Sequence, residues 1–284
     1  MSCPDCFTGH VHAGTPAGSE ITLAGLPTYV SRPQNAGEPK GVVVFIPDIF
    51  GWAFANNRLL CDAYAEKGGF VVYLPDLMGG RAPPFELSAL IDKIRNPASW
   101  TITLLWKPIW VFQAASLLIP FFATNRQSVV LSRIINIITA IRASPDNSAL
   151  KVGTAGFCWG GKYVFLLAHD KPSSRISVNG SLQPLIDCAF AAHPSMLSVP
   201  ADVENVRQPM SVAVGDTDMA ISTEGIRTME TLLKKKGEDH EVVILDGAKH
   251  GFAVRLDPKD ELQNKYADVA EKQAIAWFTK WLAK

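Results

Sequence analysis

This sequence predicts an α/β fold: a mostly parallel central sheet with helices on both faces. Apolar runs of strand length stand at Gly41–Pro47 (GVVVFIP) and Phe70–Leu74, and unbroken apolarity over so short a run marks a strand covered on both sides. Helix-compatible residues lie between them, giving the strand–helix–strand order of a parallel layout. A third run, Lys151–Ala155, leads through Gly156-Phe157-Cys158-Trp159-Gly160-Gly161 into KYVFLLAHD. That is a strand, a tight turn and a helix, the setting of a strained turn that lifts a nucleophile above the sheet.

Size and composition narrow the function. The 284 residues are 48% hydrophobic, enough for one large α/β domain or a domain with an inserted lid. Lys plus Arg and Asp plus Glu both number 27, so the formal charge is zero and a nucleic-acid partner is not expected. Five cysteines in a chain of this length do not make a disulfide framework, and a reducing, cytoplasmic setting is expected. The start, MSCPDCFTGHVHAG, has neither the basic end nor the apolar core of a secretory signal. Cys3, Cys6, His10 and His12 crowd into this leader, too closely spaced for an ordinary zinc site. Residues 1–24 therefore read as a loosely ordered leader, with no metal and no cofactor expected.

The domain proper is expected over 25–284. Gly25–Arg32 reads as an edge strand and Pro33–Lys40 as a loop. The strand Gly41–Pro47 ends in Asp48-Ile49-Phe50-Gly51; a helix over Asn57–Lys67 follows, closed by Gly68-Gly69. After Phe70–Leu74 comes Pro75-Asp76. Residues 79–125 then break the rhythm. Within them Thr101–Ala123 is long and apolar enough for a membrane span, but Lys107-Pro108, Gln113 and Pro120 argue against one. The segment reads as a lid over the active site or as an apolar interface, for instance between two copies of the chain, ahead of plain core or a membrane contact. Gln127–Ala143 carries a helical stripe of Val130, Ile134, Ile137, Ile138 and Ile141. Beyond the Cys158 turn, strands are expected at Cys188–Ala192, Met210–Gly215 and Glu241–Leu245. Helices are expected at Thr223–Lys236, capped by Ser222, and at Asp268–Leu282.

In open parallel sheets, sites form beyond the carboxyl ends of strands. Asp48, Cys158, His193, Asp216, Asp218 and His250 all follow apolar strands directly or closely. Gly156 and Gly160 lack Cβ atoms, which lets strand and helix close around Cys158. The new helix's N–H groups favour a thiolate there. The order Cys158, Asp218, His250 is nucleophile, acid, histidine. His250 would take the thiol proton and later activate water, while Asp218 would orient the imidazole. Asp216 competes for the acid role. His193, at a strand end, is a candidate pocket residue.

These motifs resemble the dienelactone hydrolase family, a branch of the α/β-hydrolase fold. The resemblance covers about residues 25–283. It is carried by Ile46–Gly51, Leu74–Leu77, Gly156–Gly161, Gly215–Asp218 and His250–Arg255; the CPDCFTGHVH leader resembles fungal members. It implies Cys158 as nucleophile, Asp218 as acid, His250 as base, and the Ile49 and Trp159 N–H groups as oxyanion hole. It further implies that Asp48 gates the thiol, standing where bacterial members carry glutamate. Arg81 and Arg255 fall near positions that bind the substrate carboxylate, Arg255 displaced by a residue. The implied reaction is hydrolysis of a small ester, enol-lactone or thioester through a thioester acyl-enzyme. Two other readings stay open: a biosynthetic cyclase, isomerase or C–C hydrolase acting on a polyketide-like substrate, and a non-catalytic binding protein on a hydrolase scaffold.

Overall fold

The computed structural model describes residues 14–34, 37–178, 181–255 and 259–283. It opens with a hairpin, β1 (Ser19–Leu23) and β2 (Leu26–Ser31), turned through Ala24 and Gly25, both at positive φ. Residues up to 24 were expected to lie outside the domain. Ser19–Leu23 instead pairs antiparallel with β2, Ser19 opposite Val30. Its side chains are almost all exposed, so the pairing rests on backbone bonds and leaves no apolar pattern to read. The Cys3, Cys6, His10 and His12 cluster lies outside the described residues.

The chain continues through β3 (Val42–Ile46), α1 (Ala55–Gly68), β4 (Val71–Pro75), α2 (Leu87–Arg95), α3 (Lys107–Thr124) and α4 (Gln127–Ala143). Then come β5 (Val152–Phe157), α5 (Trp159–Ala168), a ribbon of β6 (Ile176–Val178) and β7 (Ser181–Gln183), β8 (Cys188–Ala192) and a short α6 (Ala201–Glu204). The last elements are β9 (Met210–Gly215), α7 (Thr223–Lys235), β10 (His240–Leu245) and α8 (Glu261–Leu282). The main sheet has the order β1-β2-β4-β3-β5-β8-β9-β10. The pairings β1–β2 and β2–β4 are antiparallel; all others in it are parallel.

The apolar strands β3, β4, β5, β8 and β9 are buried throughout, as continuous apolar runs require. Gly153 faces Phe278 of α8, whereas Gly156 faces Val164 of α5. Positions three apart on a strand point to opposite sides, so α8 and α5 cover opposite faces of the sheet. Local signals placed several ends. Gly69 closes α1 in the left-handed conformation, its N–H donating to Ala65. The Ser222 hydroxyl caps α7 by accepting from the Gly225 N–H at 3.1 Å.

The insertion differs from its sequence reading. In the sequence, Lys107-Pro108, Gln113 and Pro120 argue against a membrane span. A wider π turn over Ile102–Trp106 instead feeds directly into α3. Pro108 stands at the junction of the π turn with α3, and Pro120 is carried inside the helix. Ile102–Thr124 is thus one continuous helix, long and apolar enough to cross a membrane. It packs on α2, but only Ala114 and Phe121 of α3 are buried.

Candidate active site

Strand β5 ends at Phe157 and α5 begins at Trp159, so Cys158 alone makes the turn, at φ 50° and ψ −114°. Such a backbone costs about 1–3 kcal/mol and persists only where its surroundings fix it. Here the Cys158 N–H donates to the Ala192 carbonyl at 3.3 Å. Its own carbonyl accepts from the N–H groups of Gly161 at 3.0 Å and Ser195 at 2.9 Å. Helix α5 must also pass close to the end of β3. A Cβ on Gly160 would stand 2.2 Å from the Ile46 carbonyl oxygen and 2.6 Å from that of Pro47. Only glycine fits.

The other residues arrive from neighbouring strand ends. His250 follows β10, and its Nδ1 lies 2.8 Å and 3.0 Å from the two oxygens of Asp218, which follows β9. The two loops are held together at Gly215, where an added Cβ would fall 1.9 Å from the Ala248 carbonyl oxygen. Asp216, the competing acid, is turned outward and accepts from the Gly247 N–H at 2.8 Å. His250 Nε2 is buried and makes no hydrogen bond of ordinary geometry among the described residues. The Cys158 thiol nevertheless stands close enough to act on the ring by charge and by hydrogen bonding. Catalytic hydrogen bonds are often long before substrate binds.

Electrostatics separate the two histidines. Burial works to discharge His250, but the Cys158 sulfur and the Asp218 carboxylate outweigh it, and its pKa is held well above the usual histidine value. His193, at φ 38°, lies edge-to-face with the His250 ring at 5.1 Å and with Phe252 at 5.3 Å. Burial, reinforced by the neighbouring charge of His250, pushes its pKa well below the usual value. Neither of its ring nitrogens has a hydrogen-bond partner among the described residues. His193 is thus a neutral imidazole packed against His250, where a pocket-lining role had been expected.

Asp48 is fully buried after β3. Its Oδ1 accepts from the Phe50 N–H at 3.2 Å and from Asn57 Nδ2 at 3.0 Å, and its Oδ2 accepts from Arg255 Nε at 2.9 Å. Burial raises the Asp48 pKa, the nearby Cys158 sulfur adds to the rise, and Arg255 opposes it. Two roles expected separately, thiol gating by Asp48 and substrate binding by Arg255, therefore meet in one buried ion pair. The Arg255 guanidinium also lies over the Phe50 ring at 5.3 Å. Arg81 is not brought to this group. It is exposed in the loop after β4, and a cavity of about 360 Å³ bounded by Phe50, Trp52, Phe54 and Phe85 does not include it.

The Ile49 and Trp159 N–H groups lie in the turns that follow β3 and β5. The hydrogen bonds of these turns use the N–H groups of Phe50, Gly51 and Gly161 instead, so neither Ile49 N–H nor Trp159 N–H is committed among the described residues. Two contributors went unread in the sequence. Ser195 Oγ lies 3.8 Å from Cys158 Sγ, and Asn57 holds Asp48. Ser195 follows His193-Pro194 at a strand end, so the strand-end rule that selected His193 could have found it. Asn57 sits in the first turn of α1 and gives no such signal. The group is closed to solvent: Cys158 is 1%, His250 2% and Asp218 3% exposed. The Trp159 ring meets Phe121 of α3, at 5.8 Å, and Tyr163, at 4.7 Å, in tilted contacts.

The model of the dienelactone hydrolase family matches residues 26–284. Hydrolase pyvD of Aspergillus violaceofuscus is 25% identical over 279 residues, covering 98% of this chain and 96% of its own. Dienlactone hydrolase 1 of Gibberella moniliformis is 26% identical over 280 residues, covering 98% and 94%. Among solved structures, a putative dienelactone hydrolase from Klebsiella pneumoniae aligns with a TM-score of 0.65 at 20% identity, covering 94% of this chain and all of that one. At that identity the likeness speaks for the fold.

Proposed function

Because the chain belongs to the dienelactone hydrolase family, and is a hydrolase of the ester or lactone type, we propose that it cleaves its substrate through Cys158, His250 and Asp218 by way of a thioester. The observation that carries this reading is the His250 ring. It is tied to Asp218 at 2.8 Å on one side and raised in pKa by the Cys158 sulfur beside it. That is the electrostatic setting of a thiolate–imidazolium pair.

The steps follow from these positions. The Cys158 thiolate attacks the acyl carbonyl, and the carbonyl oxygen takes the negative charge. Ile49 and Trp159 N–H stabilise that oxyanion; losing one such donor typically costs about 2.7–4 kcal/mol of barrier. The C–O bond to the leaving group breaks as His250 gives its proton to the departing oxygen, and Cys158 is left as a thioester. Neutral His250 then takes a proton from water, hydroxide adds to the thioester carbonyl, and the thiolate departs. Asp218 fixes the tautomer and stabilises the imidazolium throughout.

The surroundings favour an apolar or aromatic substrate over a small diacid. Arg255 is engaged by Asp48, Arg81 is exposed, and the cavity beside Phe50, one residue past Ile49, is lined by Trp52, Phe54 and Phe85 with Asp76 as its one charged side chain. Hydrolysis is tested by intact mass. Incubation with an aryl ester or an enol-lactone should add the acyl mass to wild-type protein, and Cys158→Ala should take up none and turn nothing over while keeping its thermal transition. A folded Cys158→Ala protein that retains activity overturns the covalent route. The same assay run in labelled water separates hydrolysis from rearrangement, because only hydrolysis puts the label into the acid product.

A further inference from the structure

We propose that the helix Ile102–Thr124 docks the protein flat on a bilayer surface carrying anionic lipid. Its outward side is apolar. Leu105, Ile109, Phe112 and Ile119 are spaced to share one face, and they are 62%, 47%, 74% and 66% exposed. A water-facing helix carries charge there; a contiguous apolar strip of this size marks a binding surface. Trp100 and Trp106, 78% and 54% exposed at its N-terminal end, are the side chains favoured at the level of lipid headgroups.

Charge selects the occupant. Residues 93–145 contain no Asp or Glu, but do contain Lys93, Arg95, Lys107, Arg126, Arg133 and Arg142. Arg133 and Arg142 point inward, to the Leu77 carbonyl and to Asp187. Lys93 and Arg126 are exposed and Lys107 is half-buried, close to the apolar face. Apolar side chains rimmed by cations suit an anionic bilayer. They suit a second copy less well: a two-fold contact sets the same patch against itself, so Lys93, Lys107 and Arg126 would meet their own sign, with Asp92 and Asp146 the acids that flank the segment in sequence.

The helix lies on the membrane; it does not cross it. Its opposite side is held by the domain through buried Ala114 and Phe121, and Lys93 of α2 sits over the Trp110 ring at 6.0 Å. The chain leaves directly into α4, whose apolar stripe is fully buried. The contact of Phe121 with Trp159 ties the buried side of this helix to the residue that follows Cys158.

Flotation of the full chain with phosphatidylcholine vesicles, with and without phosphatidylserine, tests this. Binding at least about tenfold stronger to the anionic vesicles is expected, weakened by salt and lost in Phe112→Glu/Ile119→Glu. Those two side chains face solvent, so the variant should keep its thermal transition; if it does not, Phe112→Ser/Ile119→Ser is read in the same assay. Cys158→Ala should bind like wild type, which separates this surface from the hydrolytic reading. Three results overturn the proposal: no flotation, equal flotation with neutral vesicles, or flotation unchanged in folded variants. A dimer in sedimentation that the same substitutions dissolve, with no vesicle binding, assigns the face to a second copy and also overturns it.

Discussion

The residue that most constrains its neighbours is Arg255. Its pair with Asp48 joins positions 207 apart in sequence, with side chains 1% and 0% exposed. Removing one member of a buried pair leaves the other charged and without its counter-ion, which typically costs about 3–5 kcal/mol. Arg255→Met should therefore destabilise by about 3 kcal/mol at pH 7 in urea unfolding. Burial already raises the Asp48 pKa, and losing the cation raises it further, so the deficit should shrink as the pH falls and Asp48 takes up a proton. Adding Asp48→Asn to Arg255→Met should recover most of the loss. A deficit that is flat in pH and unaffected by the second change would place the damage in packing instead. This pairing was not legible in the sequence: it appeared there as two unrelated motif positions, and only the convergence of the β3 and β10 loops makes them partners. Cys158, Asp218 and His250 could be picked out because each follows its own strand end and needs no knowledge of the others' positions.

Among elements, the turn between β5 and α5 tolerates the least change. Gly160→Ala would put a methyl carbon 2.2 Å from a backbone oxygen, and backbone has no rotamer with which to yield. More than about 3 kcal/mol of lost stability is expected, seen as a lower urea midpoint with an unchanged slope. Elements with a covered apolar face were read almost to the residue: β3, β4, β8 and β9, and α4 with its isoleucine stripe. Elements stabilised in other ways were missed or shortened. The strand β1 is exposed and held by backbone pairing. Helix α8 starts at Glu261 under the Asp260 cap, but its first turns, ELQNKYA, carry too few apolar residues to show a period. Helix α3 is apolar on every side, so its sequence could not say which side the domain would cover; the structure shows that the outward side is left over.

For the whole molecule, the two adjacent histidines set a pH optimum of stability. His193 has a pKa lowered on folding, so its contribution is full above the unfolded value of about 6.5 and is lost as the pH falls below it, where only the unfolded chain takes up the proton. His250 has a pKa raised on folding, so its contribution is full below about 6.5 and is lost as the pH rises through the folded value. Unfolding free energy should therefore peak near neutrality. Asp48, raised in pKa, works against the acid limb, so a substitution is needed to isolate the histidine. His193→Phe keeps the ring packing and should flatten the acid limb by up to about 1.4 kcal/mol per pH unit, with little change at pH 7. An acid limb of unchanged slope would show that His193 does not titrate on unfolding. The closure of the site has its own consequence for how long a molecule lasts. A cysteine in the proposed thiolate form would be carried by peroxide from sulfenate to irreversible sulfinate, yet Cys158, 1% exposed, meets an oxidant only when its cover lifts. Whatever movement admits substrate also admits damage, so an idle molecule should outlive a busy one.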